Sequence, residues 1–173
     1  MLKGFVIGIV AAVVIAGLGG LLILRTGLVP ANADAVPGWL ETWAAETSLS
    51  ATIEREAPKG DNPVALTDAN LLAGVDLYRQ HCAICHGTAA GEDSASPVAK
   101  GLYPQPPQLA SEGVEDDTEG ESFWRIKHGV RWTGMPSWKT TLSDEQISTL
   151  ALFLKHMDKL PPAVDEAWKK VTN

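Results

Sequence analysis

Cys82-Ala83-Ile84-Cys85-His86 carries the most specific chemistry in this chain. Two thiols three positions apart lie on one face of the first turns of a helix. Both sulfurs can then add to the two vinyl groups of one porphyrin while the adjoining imidazole reaches its iron. A zinc half-site would need two further good ligands, and the chain holds only two cysteines. A redox dithiol of the thioredoxin kind lacks its βαβ surroundings. The motif therefore predicts one covalent haem per chain, with His86 on the iron and no thiol left for a disulfide.

An iron that exchanges electrons without binding substrates needs a second axial ligand. Candidates are Met135, Met157, His128, His156 and His81. His81 adjoins Cys82 and would point away from the far face of the porphyrin. His156 and Met157 fall on a helix whose apolar stripe is committed to packing. Met135 sits in Gly129-Val130-Arg131-Trp132-Thr133-Gly134-Met135-Pro136-Ser137-Trp138, where glycines permit unusual backbone angles and Pro136 stiffens the loop. A thioether offered from such a loop favours ferrous iron more than an imidazole does and so raises the potential. Met135 is the expected ligand; His128 is its rival, and a plain core methionine is the alternative.

Helices must position these groups. One should begin after Thr67 or Asp68 and run through Leu71, Leu72, Val75 and Tyr78 toward the cysteines. Residues 87–107, with Gly, Ser and four prolines, read as a loop. The acidic run Glu112, Glu115, Asp116, Asp117, Glu119 and Glu121 reads as a solvated stretch. A helix fits Glu119 to His128. Another fits Asp144 to Met157, opened by the capping box Ser143-Asp144-Glu145-Gln146, with Ile147, Leu150, Ala151 and Leu154 as its stripe and Pro161-Pro162 as its stop. No strand-like alternation is long enough to build a sheet, so the fold class is all-α.

Residues Phe5 to Leu24 form an uncharged run long enough to cross the hydrocarbon core as a helix of about 30 Å. Lys3 precedes it and Arg25 follows it. Cleavage at Ala31-Asn32-Ala33 is the competing reading, but the run exceeds a usual signal-peptide core and Ala33 lies well beyond it, so an uncleaved anchor is expected. Lys3 and the terminal amine place the N-terminus in the cytoplasm and export the remainder. Setting Lys3 and Arg25 aside from the 14 basic residues leaves 12 against 21 acidic ones outside the membrane, a balance that should keep the domain off nucleic acid and anionic lipid surfaces. Gly4, Gly8, Ala12, Ala16 and Gly20 recur every four residues, a small-residue face on which a neighbouring helix could pack. Residues 25–37 read as linker. Trp39 and Trp43 would share one side of a short helix, either at the membrane interface or packed on the domain. Residues 48–66 read as irregular chain around Pro58-Lys59-Gly60-Asp61-Asn62-Pro63.

Over about Leu66 to Leu160 the chain resembles the class I cytochromes c, in a membrane-anchored, monohaem bacterial form. Gly74 and Tyr78 stand before the Cys-His motif where that family's first helix crosses its last, and Leu150 and Phe153 match the partners on the last helix. The resemblance implies that the carbonyl of Pro107, in Pro107-Gln108-Leu109, accepts a hydrogen bond from Nδ1 of His86. Met135 matches the family's methionine ligand. The implied organisation is an anchor over 1–25, a linker and irregular extension over 26–66, a haem domain over 67–160 and a tail over 161–173. The implied function is one-electron transfer through a single covalent haem c between redox donor and acceptor proteins, with the domain on the outer, periplasmic side of a bacterial inner membrane. No base and nucleophile constellation suggests turnover, so an electron carrier rather than an enzyme is expected. Two alternatives remain: a fixed relay subunit of a larger membrane oxidoreductase, joined through the small-residue face, and a gas sensor or peroxidase with an open iron.

Overall fold

Side-chain caps set where the principal helices begin. In the computed structural model, which describes residues 2–172 apart from the side chains of Glu92 and Asp93, Thr67 accepts from the N–H of Asn70, and α3 follows as Asp68–His81. Thr118 and Glu121 form a reciprocal capping box ahead of α6, Glu119–His128; Ser143 and Gln146 do the same for α7, Asp144–Lys155. Each box satisfies two backbone donors that a helix start otherwise leaves orphaned. The remaining helices are α1 (Leu2–Arg25), α2 (Trp39–Glu56), the single turn α4 (Ala83–His86), α5 (Pro97–Gly101) and α8 (Pro162–Trp168). No strand occurs among the described residues.

The chain divides into two units, one up to Val36 and one from Pro37 onward. The first is α1 and its following turn. Its apolar side chains are all exposed, as a helix made to be covered by lipid would leave them.

In the second unit α3 crosses α7 at a glycine. A Cβ on Gly74 would stand 2.5 Å from Cβ of Phe153 and 3.0 Å from the Thr149 carbonyl oxygen, so only hydrogen lets the backbones approach this closely. Tyr78, Ile147, Leu150 and Phe153 around the crossing are fully buried. The helix spacing and the crossing therefore agree with the sequence.

Three segments depart from it. Within residues 87–107, expected as a loop, Ser96 caps the short helix Pro97–Gly101 by accepting from the N–H of Ala99. The stretch from Ser48, expected as irregular, remains helical to Glu56 because Ile53 and Ala57 are buried against the domain. The prolines expected only to stop a helix also start one: Pro161 caps α8 and Pro162 occupies its first turn, where a missing N–H costs nothing. Trp168 of α8 packs edge-on against Tyr78 and Phe153, at ring-centroid distances of 5.0 and 5.3 Å. The last helix of the sequence thus closes the core rather than trailing from it.

Candidate haem site

The N–H groups of Cys85 and His86 both donate to the Cys82 carbonyl, at 3.0 and 2.9 Å, and wind the motif into the turn α4. Gly87 ends the turn at φ 75°, and a side chain there would run into Gln108 and Ser94. Glycine is required on both counts.

The imidazole of His86 is fixed by its Nδ1, 2.9 Å from the Pro107 carbonyl oxygen. A carbonyl only accepts, so Nδ1 carries the hydrogen and Nε2 keeps the lone pair that can bind a metal. Burial holds this imidazole below its ordinary pKa, while the Pro107 carbonyl and the Glu112 carboxylate pull the other way. The neutral form, the one that ligates iron, is thereby favoured. Burial, helped by Cys85, pushes the Cys82 thiol up to about 12.

Around this turn the backbone carbonyls are taken up one by one. The Tyr78 hydroxyl lies 3.0 Å from both the His86 and Gly87 carbonyls and donates between them. The Gln108 amide donates to Cys85 O and Pro106 O, each at 3.1 Å. The N–H of Leu109 reaches His86 O at 3.2 Å, and the Ser96 hydroxyl donates to Ile84 O. Gln108 is itself held, its N–H donating to Glu112 at 2.7 Å, although its own buried Oε1 has no partner. Nothing in the sequence marked Gln108 for this task. Its place directly after the proline whose carbonyl meets His86 was the one available signal.

Met135 is half-buried against the core cluster. Its carbonyl accepts from Val130 N at 3.2 Å, and its N–H donates to the Thr133 hydroxyl at 3.0 Å. A Cβ on Gly129 would come within 2.7 Å of the Met135–Ser137 backbone, and one on Gly134 within 2.7 Å of Leu102. The loop carrying Met135 thus packs against the segment that follows the Cys-His turn. The rival side chains have other surroundings. Met157 lies in the core, and His128 is exposed against Trp124 with ring centroids 5.1 Å apart. His156 stands 3.8 Å from Glu119, and His81 packs on Trp138.

The acidic run is more than a solvated stretch. Glu112 binds Gln108, Glu121 completes a capping box, and Asp117 pairs with Arg125 at 2.7 Å. Residues 69–154 match the family described as cytochrome c oxidase, cbb3-type, subunit III. With an all-helical fold, a CxxCH turn and one N-terminal apolar helix, the chain is a c-type cytochrome, which transfers electrons through a covalently bound haem c.

Proposed function

We propose that this cytochrome carries single electrons at the outer, periplasmic face of a bacterial inner membrane, between a donor and an acceptor protein. In this reading Cys82 and Cys85 would hold the haem through two thioethers, and His86 Nε2 and Met135 Sδ would be the ligands of its iron. The Leu2–Arg25 helix stays as an uncleaved anchor, and 67–160 form the haem domain, to which α2 and α8 add. The observation that carries the assignment is the hydrogen bond from His86 Nδ1 to Pro107 O, which orients the ring on a turn that also presents both cysteines.

When bound, the haem supplies a one-electron couple at its iron. The chain's own residues do the rest. Pro107, held through Gln108, keeps the imidazole from rotating, so the ligand geometry need not reorganise when the charge changes. Tyr78, Leu109 and Gln108 fix the turn's carbonyls, and the apolar cluster of Phe123, Ile126, Leu109 and Trp138 lowers the local dielectric. Met135 supplies a soft donor that favours the reduced state.

Denaturing gels stained for haem test the attachment: the wild type should stain, and Cys82→Ala with Cys85→Ala should not. The near-infrared sulfur-to-iron charge-transfer band tests the ligand. It should be present in the ferric wild type and absent in Met135→Ala, whose iron should also open to small ligands. If His128→Ala removes the native ligand and Met135→Ala does not, the assignment fails.

A second reading is favoured by the family description, which names an oxidase subunit. In it the chain is a fixed relay in a membrane complex, held through Gly4, Gly8, Ala12, Ala16 and Gly20, whose glycines have open space where a side chain would stand. Purification in mild detergent separates the two, since a relay subunit brings stoichiometric partners with it and a free carrier does not.

A further inference from the structure

We propose that the first turn of α2 is a second membrane contact, with Trp39, Leu40 and Trp43 seated at the lipid–water interface. The inference rests on the anchor reading of α1. Trp39 is 80 % exposed, Trp43 59 % and Leu40 55 %, so the tryptophans do not pack on the domain. These are large apolar groups with indole N–H donors, the combination that partitions into the headgroup zone, apolar on one side and wet on the other.

The helix itself separates two sides. Ile53 is buried, and Thr42, Leu49 and Thr52 are half-buried, on the side turned to the domain. At 100° per residue, Leu40 and Trp43 turn away from that side, and Trp39, the first residue of the helix, stands at its border, about 60° from Thr42. Further along that exposed side come Thr47, Ser50 and Glu54, all polar. The apolar character is therefore confined to the end of the helix, which suits end-on insertion rather than a helix lying flat. Glu41, the carboxylate of this turn, points elsewhere and accepts from the Tyr103 hydroxyl at 3.1 Å.

Proximity along the sequence favours a lipid surface over a second copy of the chain: 13 residues separate Arg25 from Trp39. A chain of that length has a typical end-to-end reach of about 20 Å. Once α1 is inserted, the bilayer is present at high effective concentration, whereas another copy must diffuse in. Between Arg25 and Arg55 no lysine or arginine occurs, so the contact draws on the apolar and indole groups rather than on anionic headgroups. Such a contact would restrain how far the haem domain swings on its tether.

Single cysteines carrying a nitroxide, introduced at Leu40, Thr47 and Glu54 in the full-length haem-loaded protein, test the proposal. These three positions lie on one side of α2, about 10 Å apart along its axis. In vesicles of zwitterionic phosphatidylcholine, a water-soluble nickel chelate should relax the label least at 40 and most at 54, with oxygen showing the reverse order. Trp39→Ala with Trp43→Ala should restore nickel access at position 40. A label at Val13 reports on α1. Val13 embedded with a flat profile along α2 overturns the second contact alone, and Val13 in water overturns the anchor reading with it. Label-to-label dipolar broadening at position 40 would identify a second copy as the occupant and would also overturn the proposal.

Discussion

The peptide around His86 and the peptide around Met135 are held by different means. On the histidine side, partners from four separate stretches of chain converge: Tyr78 from α3, Ser96 from the start of α5, the Pro107–Leu109 segment, and Glu112 behind it. On the methionine side the bonds are local. Thr133 links Val130 and Met135 within six residues, and the loop leans on backbone contacts at Gly129 and on Leu102. At the tip of the loop Trp132 is 89 % exposed and stands at φ 64°, a conformation uncommon for a residue with a side chain. The proposed histidine ligand therefore shares the stability of the domain core. The proposed methionine ligand hangs on a segment that can open by itself.

The largest effect is expected at the core crossing. Gly74→Val inserts a branched side chain where the Phe153 Cβ would lie 2.5 Å away. Overpacking of this kind typically costs 1–3 kcal/mol, or about 4–8 °C of melting temperature per kcal/mol in a domain this small. The whole unit should melt earlier, and the sulfur–iron band should disappear together with helical circular dichroism. An unchanged melting temperature would mean the crossing tolerates a side chain and the contrast is overstated.

Gly129→Ala should instead break the methionine side alone. Its φ of 68° and ψ of −177° lie where residues with side chains are strained, at a cost of about 1–3 kcal/mol, and Pro136 stands in the way of the added methyl. Loss of the near-infrared band with helicity retained is the expected result. If helicity falls with it, the two sides open as one.

Tyr78→Phe sharpens the histidine side through pH. The variant leaves the Gly87 carbonyl without its side-chain donor, worth about 1–3 kcal/mol, while the His86 carbonyl keeps the Leu109 N–H. Burial raises the Tyr78 pKa above its ordinary 10.0 in the folded protein. The unfolded chain therefore releases this proton first, and unfolding is favoured progressively as pH rises above 10, by up to about 1.4 kcal/mol per pH unit. Urea midpoints at pH 8 and pH 11 should fall further apart in the wild type than in the variant. Equal differences would show that the phenol does not ionise on unfolding.

These contrasts also explain what was legible in the sequence. The caps at Thr67 and Ser143 and the helical spacing of Leu71, Val75, Ile147, Leu150 and Leu154 are local signals, and α3, α6 and α7 follow from such signals. The capping box at Thr118 was equally readable, being a threonine three residues before Glu121. By contrast, α8 depends on Trp168 meeting Tyr78 and Phe153, a partnership formed only in space, and a proline pair signals a helix start as well as a stop. The lower half of α2 depends in the same way on Ile53 finding the domain. At the candidate site, the cysteine and histidine spacing was plain, because both thiols and the imidazole fall within five consecutive residues. Gln108 and Glu112 were not, because bonds to backbone carbonyls require no motif.

A smaller effect is expected from Thr133→Val, which keeps the shape but removes the hydroxyl that Met135 N–H donates to and that donates to Val130 O at 2.7 Å. The net cost should be about 0.5–1.5 kcal/mol. It should appear as a lower urea midpoint for loss of the sulfur–iron band, while the midpoint for helix unfolding is unmoved. Coincident shifts of both would show that the loop does not open independently.

The smallest effect concerns the charges beside the Met135 loop. Arg125, Lys127, Arg131 and Lys139 flank it and suggest a basic rim, but Arg125 pairs with Asp117 and Lys127 with Asp144, so two of the four are already neutralised. Arg131 and Lys139 are exposed and have no ion-pair partner among the described residues. On a domain that is net acidic, two such charges make a local excess of positive charge at the side where the methionine ligand is proposed to sit. Small ions of opposite sign report on it directly, because steering by surface charge acts on encounter rates and fades within about 10 Å at 0.1 M salt. Arg131→Glu with Lys139→Glu should slow oxidation of the ferrous protein by an anionic complex such as ferricyanide and speed oxidation by a cationic cobalt complex. Both differences should be largest at low salt and should vanish as salt rises, with the haem spectrum unchanged. If the two oxidants respond alike, electrons leave the protein away from the Met135 loop, and the looser side of the molecule is not its docking side.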